Sequence, residues 1–142
     1  MIGLFYLQCS MATMVDYKEL SELTPNSSHI LHVNVIEVDM VDDKGLKIID
    51  LDEKTGPGLG RVIRLHSRVV SKLKGGGSIH EGTIIKVPLW DMWHYSLRQI
   101  RDGTVGYEYI FLLEGEGYKP VYPRYFLRHL SEKEKIIDLI NE

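Results

Sequence analysis

The stretch that decides the fold covers residues 61–88 and reads RVIRLHSRVVSKLKGGGSIHEGTIIKVP. In its first half, apolar residues occupy one parity and polar, mostly basic residues the other. The apolar positions are Ile63, Leu65, Val69 and Leu73, and the polar positions are Arg64, His66, Arg68 and Lys72. Because successive side chains of a β-strand point to opposite faces, this alternation predicts a long strand over 61–73 with one buried and one basic face.

Three consecutive glycines at 75–77 follow this strand and could belong either to a phosphate-binding loop or to a hairpin turn. A Walker loop needs a lysine that reaches the phosphates and a helix directly after the loop. Here Gly82 and Thr83 lead into the strand-like pair Ile84 and Ile85, and the lysine is absent. The glycines therefore predict a hairpin turn, where positive backbone φ angles favour glycine.

Further strands and two helices are predicted on either side of this hairpin. Segments dense in β-branched and aromatic residues predict strands over 29–40, 46–53, 83–90 and 105–117. A proline-interrupted edge segment follows over 119–129, and 91–103 is compatible with a long loop or a short helix. Helices are predicted over 16–23 and 131–142, the second with Ser131 and Glu134 at capping-box spacing.

Strands this closely spaced leave no room for the crossover helices of a parallel sheet. We therefore expect a mainly β protein: a small five- to six-stranded antiparallel barrel of the OB type, with a short N-terminal helix and a C-terminal helix packed on it. At 142 residues the chain fits one domain. We place the N-terminal apolar segment and short helix at 1–27 and the barrel with its C-terminal helix at 28–142.

Composition excludes some classes of function. A formal net charge of −3 disfavours non-specific nucleic-acid binding, and no apolar segment approaches the roughly 20 residues of a membrane-spanning helix. The single cysteine, Cys9, excludes an internal disulfide and a cysteine-based zinc site. No HExxH, GxSxG or EF-hand pattern occurs, so we expect no catalytic residue, no metal site and no cofactor.

The first twelve residues, MIGLFYLQCSMA, leave two interpretations open. They are either the end of a signal peptide or a native N-terminal element that packs on the domain. Cys9 after FYLQ is similar to a bacterial lipoprotein site, which would anchor the chain through a lipid, although Gln8 stands where a small residue is expected. The first interpretation favours a location outside the cytoplasm, in the cell envelope.

Two surfaces are candidates for binding a partner. The basic face of strand 61–73, with Arg64, His66, Arg68 and Lys72, would bind an anionic partner or would simply be solvated. The segment 89–95 would stack on a ligand or close one barrel end, and its candidate residues are Trp90, Trp93, His94 and Tyr95.

The order of these elements resembles the netrin-like OB-fold domains of tissue inhibitors of metalloproteinases, complement components and bacterial envelope proteins. The resemblance covers about residues 28–140 and rests on three degenerate motifs of that family. Leu73, Lys74 and Gly75 match its LKG turn; Gly82, Thr83 and Ile85 match the next strand; Gly106, Tyr109, Leu112 and Leu113 match the last one. The inhibitors chelate zinc through an N-terminal cysteine pair, which Cys9 alone cannot form.

The resemblance implies a non-catalytic binding or adaptor module with a protein partner. Two alternatives stay open at this point. One is a nucleic-acid-binding OB domain that uses the basic strand and the aromatic residues, which the net charge makes unlikely. The other is a small enzyme with His94 or His66 as a base beside Asp91.

Overall fold

The structure, a computed structural model, describes residues 18–75, 77–90 and 92–142. Its strands are β1 (His29–Asp42), β2 (Arg61–Lys74), β3 (Ile84–Pro88), β4 (Glu108–Glu114), β5 (Lys119–Pro120) and β6 (Leu127–His129). Its α-helices are α1 (Leu20–Asn26), α2 (Leu97–Thr104) and α3 (Lys133–Ile140), the last preceded by a 3-10 turn over Leu130–Glu132. The predictions that concern residues 1–17, Cys9 included, and Asp91 lie outside the described residues.

The strands form one antiparallel sheet in the order β3-β2-β1-β4-β5, and β6 pairs with β4. The long strand β1 lies at the centre, and the sheet curls until the outer strands β3 and β5 approach each other. This confirms the predicted fold class: the chain is mainly β, with antiparallel strands curled into a half-barrel and short helices near both ends. No helix in the described part of the chain is long and apolar enough to cross a membrane.

The glycine-rich stretch connects β2 to its antiparallel neighbour β3, as a hairpin turn requires. Gly75, Gly77 and Gly82 all have positive φ angles. The Gly82 N–H donates to the carbonyl of Val69, and the Val69 N–H donates to the carbonyl of Thr83. Strand pairing therefore starts immediately after the turn, and β3 rather than a helix follows the glycines.

A bulge at Ile36 reverses the side-chain parity of β1. Before the bulge Val35 pairs with Ser67, and after it Glu37 pairs with His66. One extra residue in a strand exchanges its inner and outer faces and increases the local twist. As a result Val38 faces the core opposite Leu65, and Asp39 lies on the outer face opposite Arg64.

The core lies inside the curled sheet and extends under the terminal helices. All five residues from Tyr109 to Leu113 are buried, so both faces of β4 are covered. Helices α1 and α3 contact each other, and α1 and the 3-10 turn contact β4. The predicted strand over 105–117 starts later and ends earlier than expected: β4 covers Glu108–Glu114, and Val105 and Tyr107, which precede it, are exposed.

The predicted strand over 46–53 is also wrong. Asp42 turns the chain, because its Oδ1 accepts hydrogen bonds from the N–H groups of Lys44 and Leu46. Only an isolated bridge between Val41 and Lys47 follows, and Ile49 is 88% exposed. The segment is a loop that joins no strand ladder: Leu46 and Ile49 are exposed, while Ile48 and Leu51 pack against the core.

The remaining local predictions have mixed outcomes. The ambiguous segment 91–103 contains helix α2, whose first turn is capped by the Ser96 side chain accepting from the Gln99 N–H. The C-terminal helix is confirmed, with Ile136 fully buried. Its predicted capping box does not form, since the chain makes a 3-10 turn at Ser131 and α3 starts at Lys133.

Candidate functional site

The seam between β3 and β5 is the place where the barrel stays open. Leu89 donates its N–H to the carbonyl of Ile63, and Val121 donates to the carbonyl of Leu112. Because backbone groups alternate sides along an antiparallel strand, the neighbouring Pro88 and Pro120 turn their backbone toward the seam. Neither proline has an N–H to donate, so a hydrogen-bonded ladder cannot close the barrel at this point.

A cavity of about 190 Å³ opens at this seam. It lies between the inner face of β2, helix α2 and the segment that joins β5 to β6. Its lining is mostly apolar: Leu65, Leu89, Trp90, Trp93, Tyr95, Ile100, Thr104, Pro120, Pro123, Arg124, Phe126 and Leu127. Since an apolar cavity of about 150 Å³ accommodates benzene, this one has room for one aromatic ring or branched aliphatic side chain.

A shallower groove of about 340 Å³ continues from the cavity to the outer surface. The two share Leu89, Trp90, Pro120 and Pro123, and the groove adds Val62, Pro88 and Lys119. We call the cavity and this groove together the seam groove. It offers a deep apolar pocket at one end and an open channel past two prolines at the other.

Three of the four predicted aromatic residues meet in the seam groove. The rings of Trp90 and Trp93 contact edge to face with centroids 4.9 Å apart, and Trp93 meets Tyr95 in the same way at 5.9 Å. Each ring is partly buried and lines the cavity. Edge-to-face contacts of this kind fix ring orientation and contribute about 0.5–1.5 kcal/mol each beyond area burial.

A fully buried threonine holds this aromatic segment in place. Thr55 Oγ1 donates to the carbonyl of Trp93 and accepts from the N–H of Tyr95. The Thr55 backbone N–H donates to the carbonyl of Tyr95. The loop over 51–56 thus pairs with the segment over 93–98, and the aromatic rings stand on fixed backbone.

His94, the fourth predicted residue, points away from the cavity. Its Nδ1 lies 3.1 Å from the Thr55 carbonyl oxygen, so this nitrogen carries the proton and donates. A Cβ on Gly56 would lie 2.7 Å from the His94 ring, so only glycine fits there without moving the ring. His94 therefore contributes to packing of the loop, while its proposed partner Asp91 is not among the described residues.

Arg124 is the one basic residue among those that line the cavity itself. It has a left-handed backbone, with φ at 76°, and its guanidinium lies 5.8 Å from the centre of the Tyr125 ring. Burial raises the pKa of Tyr95 above its usual value, and the nearby positive charge of Arg124 partly opposes that shift. Arg124 thus places a cation beside a partly buried phenol at the cavity.

The predicted basic face divides into two parts. Arg64 donates from Nε and Nη2 to both carboxylate oxygens of Asp39, at 2.9 and 2.7 Å. His66 Nε2 lies 2.9 Å from Asp39 Oδ2, at ion-pair distance but outside hydrogen-bond geometry. Arg68 and Lys72 remain exposed. Two of the four predicted residues therefore already contact a buried carboxylate.

The electrostatics of Asp39 follow from these contacts. Burial by itself would raise the pKa of this carboxyl, but the hydrogen bonds from Arg64 and the close approach of the His66 ring outweigh it and lower the pKa. Glu37, Asp39 and His66 bring ligand atoms within 4.8 Å of one another, a spacing compatible with a cation. Arg64 and Lys47 already supply positive charge to these carboxylates, and we assign no metal to this cluster.

Sequence reasoning missed the half of the seam groove that comes from β5 and the segment after it. The sequence placed these residues only in a proline-interrupted edge segment: Pro120, Pro123, Arg124 and Phe126. Two prolines within four residues were the available signal for an unpaired edge. Nothing in the sequence indicates that this edge meets Trp90.

The fold and the seam groove define the chain as an open antiparallel half-barrel with an apolar, aromatic-lined groove at its unpaired seam. Comparison with protein-family models, with curated proteins and with solved structures found no match for the chain. The resemblance to netrin-like domains stays a prediction from sequence motifs.

Proposed function

We propose that this protein is a non-catalytic binding module that holds an extended segment of a partner protein in the seam groove. The observation that carries the proposal is the apolar cavity at a seam that two prolines keep unpaired. Deep apolar pockets lined by tryptophan and tyrosine are typical of the anchor sites of protein interfaces. The adaptor role implied by the netrin-like resemblance points the same way.

The outer edge of β3, which has no strand beside it in the described part of the chain, supports an extended partner. Ile85 and Val87 pair with β2, so the backbone groups of Ile84 and Lys86 point away from it. Ile84 is 51% exposed and Lys86 is exposed as well. A partner in β conformation can hydrogen-bond to such an edge while one of its side chains enters a pocket.

The test is a selection from a random-peptide display library on the full chain. Both tryptophans of the protein, Trp90 and Trp93, line the cavity, so intrinsic fluorescence reports on the site without a label. We expect selected peptides to share a bulky apolar anchor and to shift tryptophan emission in a saturable titration.

The variant Trp90→Ala removes one cavity wall and is expected to weaken these peptides at least about tenfold, as for an interface anchor. Tyr107→Ala, which removes an exposed ring that does not line the groove, is the matched control and is expected to bind normally. Circular dichroism of both variants checks that the sheet is intact. Peptides that bind Trp90→Ala as well as the native chain would contradict the proposal.

A further inference from the structure

We infer that the partner segment carries a carboxylate beside its apolar anchor, and that Arg124, assisted by Lys119, recognises it. The inference rests on the proposed function and names the chemistry of its ligand. It is based on the charges that line the seam groove and on the backbone conformation of Arg124. The apolar cavity by itself explains neither observation.

Among the described residues that line the seam groove, every charged group is positive. Among its described lining residues the only charged ones are Arg124 in the cavity and Lys119 in the outer groove. No described aspartate or glutamate lines it, although acidic residues outnumber basic ones, 20 to 17, in the whole chain. The local charge is therefore opposite in sign to that of the molecule and favours an anionic group next to the apolar pocket.

Arg124 and Lys119 form no ion pair with another described residue of the chain. Arg64, Arg61, Arg98, Arg101 and Arg128 each pair with a carboxylate of the chain. Within the described ranges, no aspartate or glutamate forms an ion pair with Arg124 or Lys119. Arg124 therefore differs from most arginines of the described chain in retaining its capacity for a carboxylate ligand.

The backbone of Arg124 points to a role outside folding. A residue with a Cβ pays a conformational cost for φ at 76°, and glycine would adopt that φ without strain. Strain of this kind concentrates at ligand-binding positions, where the side chain is needed. The guanidinium presents a planar set of donors that suits a carboxylate in two-point contact.

The geometry favours an acidic peptide over a nucleic acid. Stacking on bases needs exposed ring faces, whereas Trp90, Trp93 and Tyr95 are partly buried and pack edge to face on one another. The cavity holds one ring, and two cations beside it match one or two carboxylates. A polyphosphate chain would call for a longer basic track.

The experiment compares display selections on the native chain and on Arg124→Gln. We expect peptides from the native chain to carry Asp or Glu within two residues of the apolar anchor, and peptides from Arg124→Gln to lack this enrichment. Selected peptides are then synthesised with each acidic residue intact or amidated, Glu→Gln or Asp→Asn. The acidic form should bind the native chain at least about fivefold tighter, with the difference shrinking as salt rises.

Arg124→Gln should lose most of the preference and keep only the smaller part that Lys119 provides, and Arg124→Lys should restore part of it. Arg101→Gln, which removes an exposed arginine outside the groove, is the control and should keep the full preference. Equal binding of both forms to the native chain would overturn this inference and leave the proposed function standing.

Failure to select any peptide would instead remove the proposed function itself. A decathymidylate that binds more tightly than the acidic peptides, and loses affinity in Trp90→Ala, would overturn the inference in favour of nucleic acid.

Discussion

Asp39 organises the outer face of β1 and β2. The bulge at Ile36 brings it opposite Arg64 and beside His66, where its side chain is 8% exposed. A buried carboxylate needs partners, since removing one cation leaves its charge without compensation. Arg64 therefore contributes to the stability of the sheet.

Arg64→Met keeps the length of the side chain but removes both hydrogen bonds to Asp39. We expect the free energy of unfolding to fall by about 2 kcal/mol, in the range for a partly buried charged hydrogen bond. Arg68→Met, at an exposed position on the same face, is expected to change it by less than about 0.5 kcal/mol. Urea denaturation followed by circular dichroism measures both. Equal effects would mean that the Asp39 contacts do not stabilise the sheet.

Arg124 allows the backbone and the side chain of one residue to be tested separately. In regular structure, a protein with glycine at a given position is normally less stable than one with alanine there, by about 0.5–1 kcal/mol. At a φ of 76° that order should reverse, so Arg124→Gly is expected to be more stable than Arg124→Ala by about 1 kcal/mol. Thermal and urea unfolding of the two variants give the comparison. An alanine variant equal to or more stable than the glycine variant would exclude backbone strain at this position.

At the scale of elements, the aromatic segment over 93–98 is held by the loop over 51–56 and not by a sheet. Thr55 supplies a donor and an acceptor from a fully buried hydroxyl, and Leu97 and Arg98 donate their N–H groups to the carbonyls of Glu53 and Leu51. Only residues 51–53 of this loop belong to the segment that was predicted to be a strand.

Thr55→Val preserves the shape of the side chain and removes both hydrogen bonds of the hydroxyl, so the Trp93 carbonyl and the Tyr95 N–H keep only their long contact with each other at 3.2 Å. We expect a loss of about 1–3 kcal/mol of stability and a red shift of tryptophan emission as Trp93 becomes more exposed. Thr55→Ser keeps the hydroxyl and should show neither the full loss nor the shift. If serine and valine behave alike, the methyl group and not the hydrogen bonds holds the segment.

The sequence predicts the strands from the patterns of their own residues. Alternation indicates β2 and β4, the density of Val and Ile indicates β1, and the glycine turn separates β2 from β3, although β4 pairs with β1 from the far end of the chain. The predicted strand over 46–53 failed because a β-prone segment after a turn shows only that it could pair. Whether an edge is available to it depends on β2 and the loop at 93–98, which the local pattern does not encode.

The candidate site was likewise predicted only in part. Trp90, Trp93 and Tyr95 are close in sequence, so their common loop could be recognised. Arg124 and Pro120 reach them only when the sheet curls, and the left-handed backbone of Arg124 has no signature in a Pro-Arg-Tyr context. Arg64 and His66 were correctly placed on one face, but both contact Asp39 from another strand, which their own local pattern does not reveal.

At the scale of the whole molecule, acid should weaken the fold through its paired carboxyls. Arg64 and His66 hold the pKa of Asp39 below its usual value against the opposing effect of burial, and hydrogen bonds from Arg128 do the same for Glu132. A lowered pKa in the folded state gives stability that is present above the unfolded pKa and is lost as pH falls through the folded pKa.

We therefore expect the urea midpoint to fall as pH drops below about 4.5, the region of the unfolded carboxyl pKa values. The Asp39→Asn variant should have a lower urea midpoint than the native chain at pH 7. Its midpoint should fall less between about pH 5 and pH 3, because one of the titrating groups is gone. Parallel acid profiles for the variant and the native chain would contradict the assignment to Asp39.

The prolines at the seam also determine how the protein would respond to a ligand bound in the seam groove. In the described part of the chain, Pro88 and Pro120 leave no ladder between β3 and β5, and β3 pairs with β2 alone, so its amides at Ile84 and Lys86 should exchange with solvent early. A segment bound along that edge would supply the missing ladder and slow this exchange. Because it binds only the folded state, a free concentration 100 times its Kd would add about 2.7 kcal/mol to stability. The barrel would then be completed by its ligand.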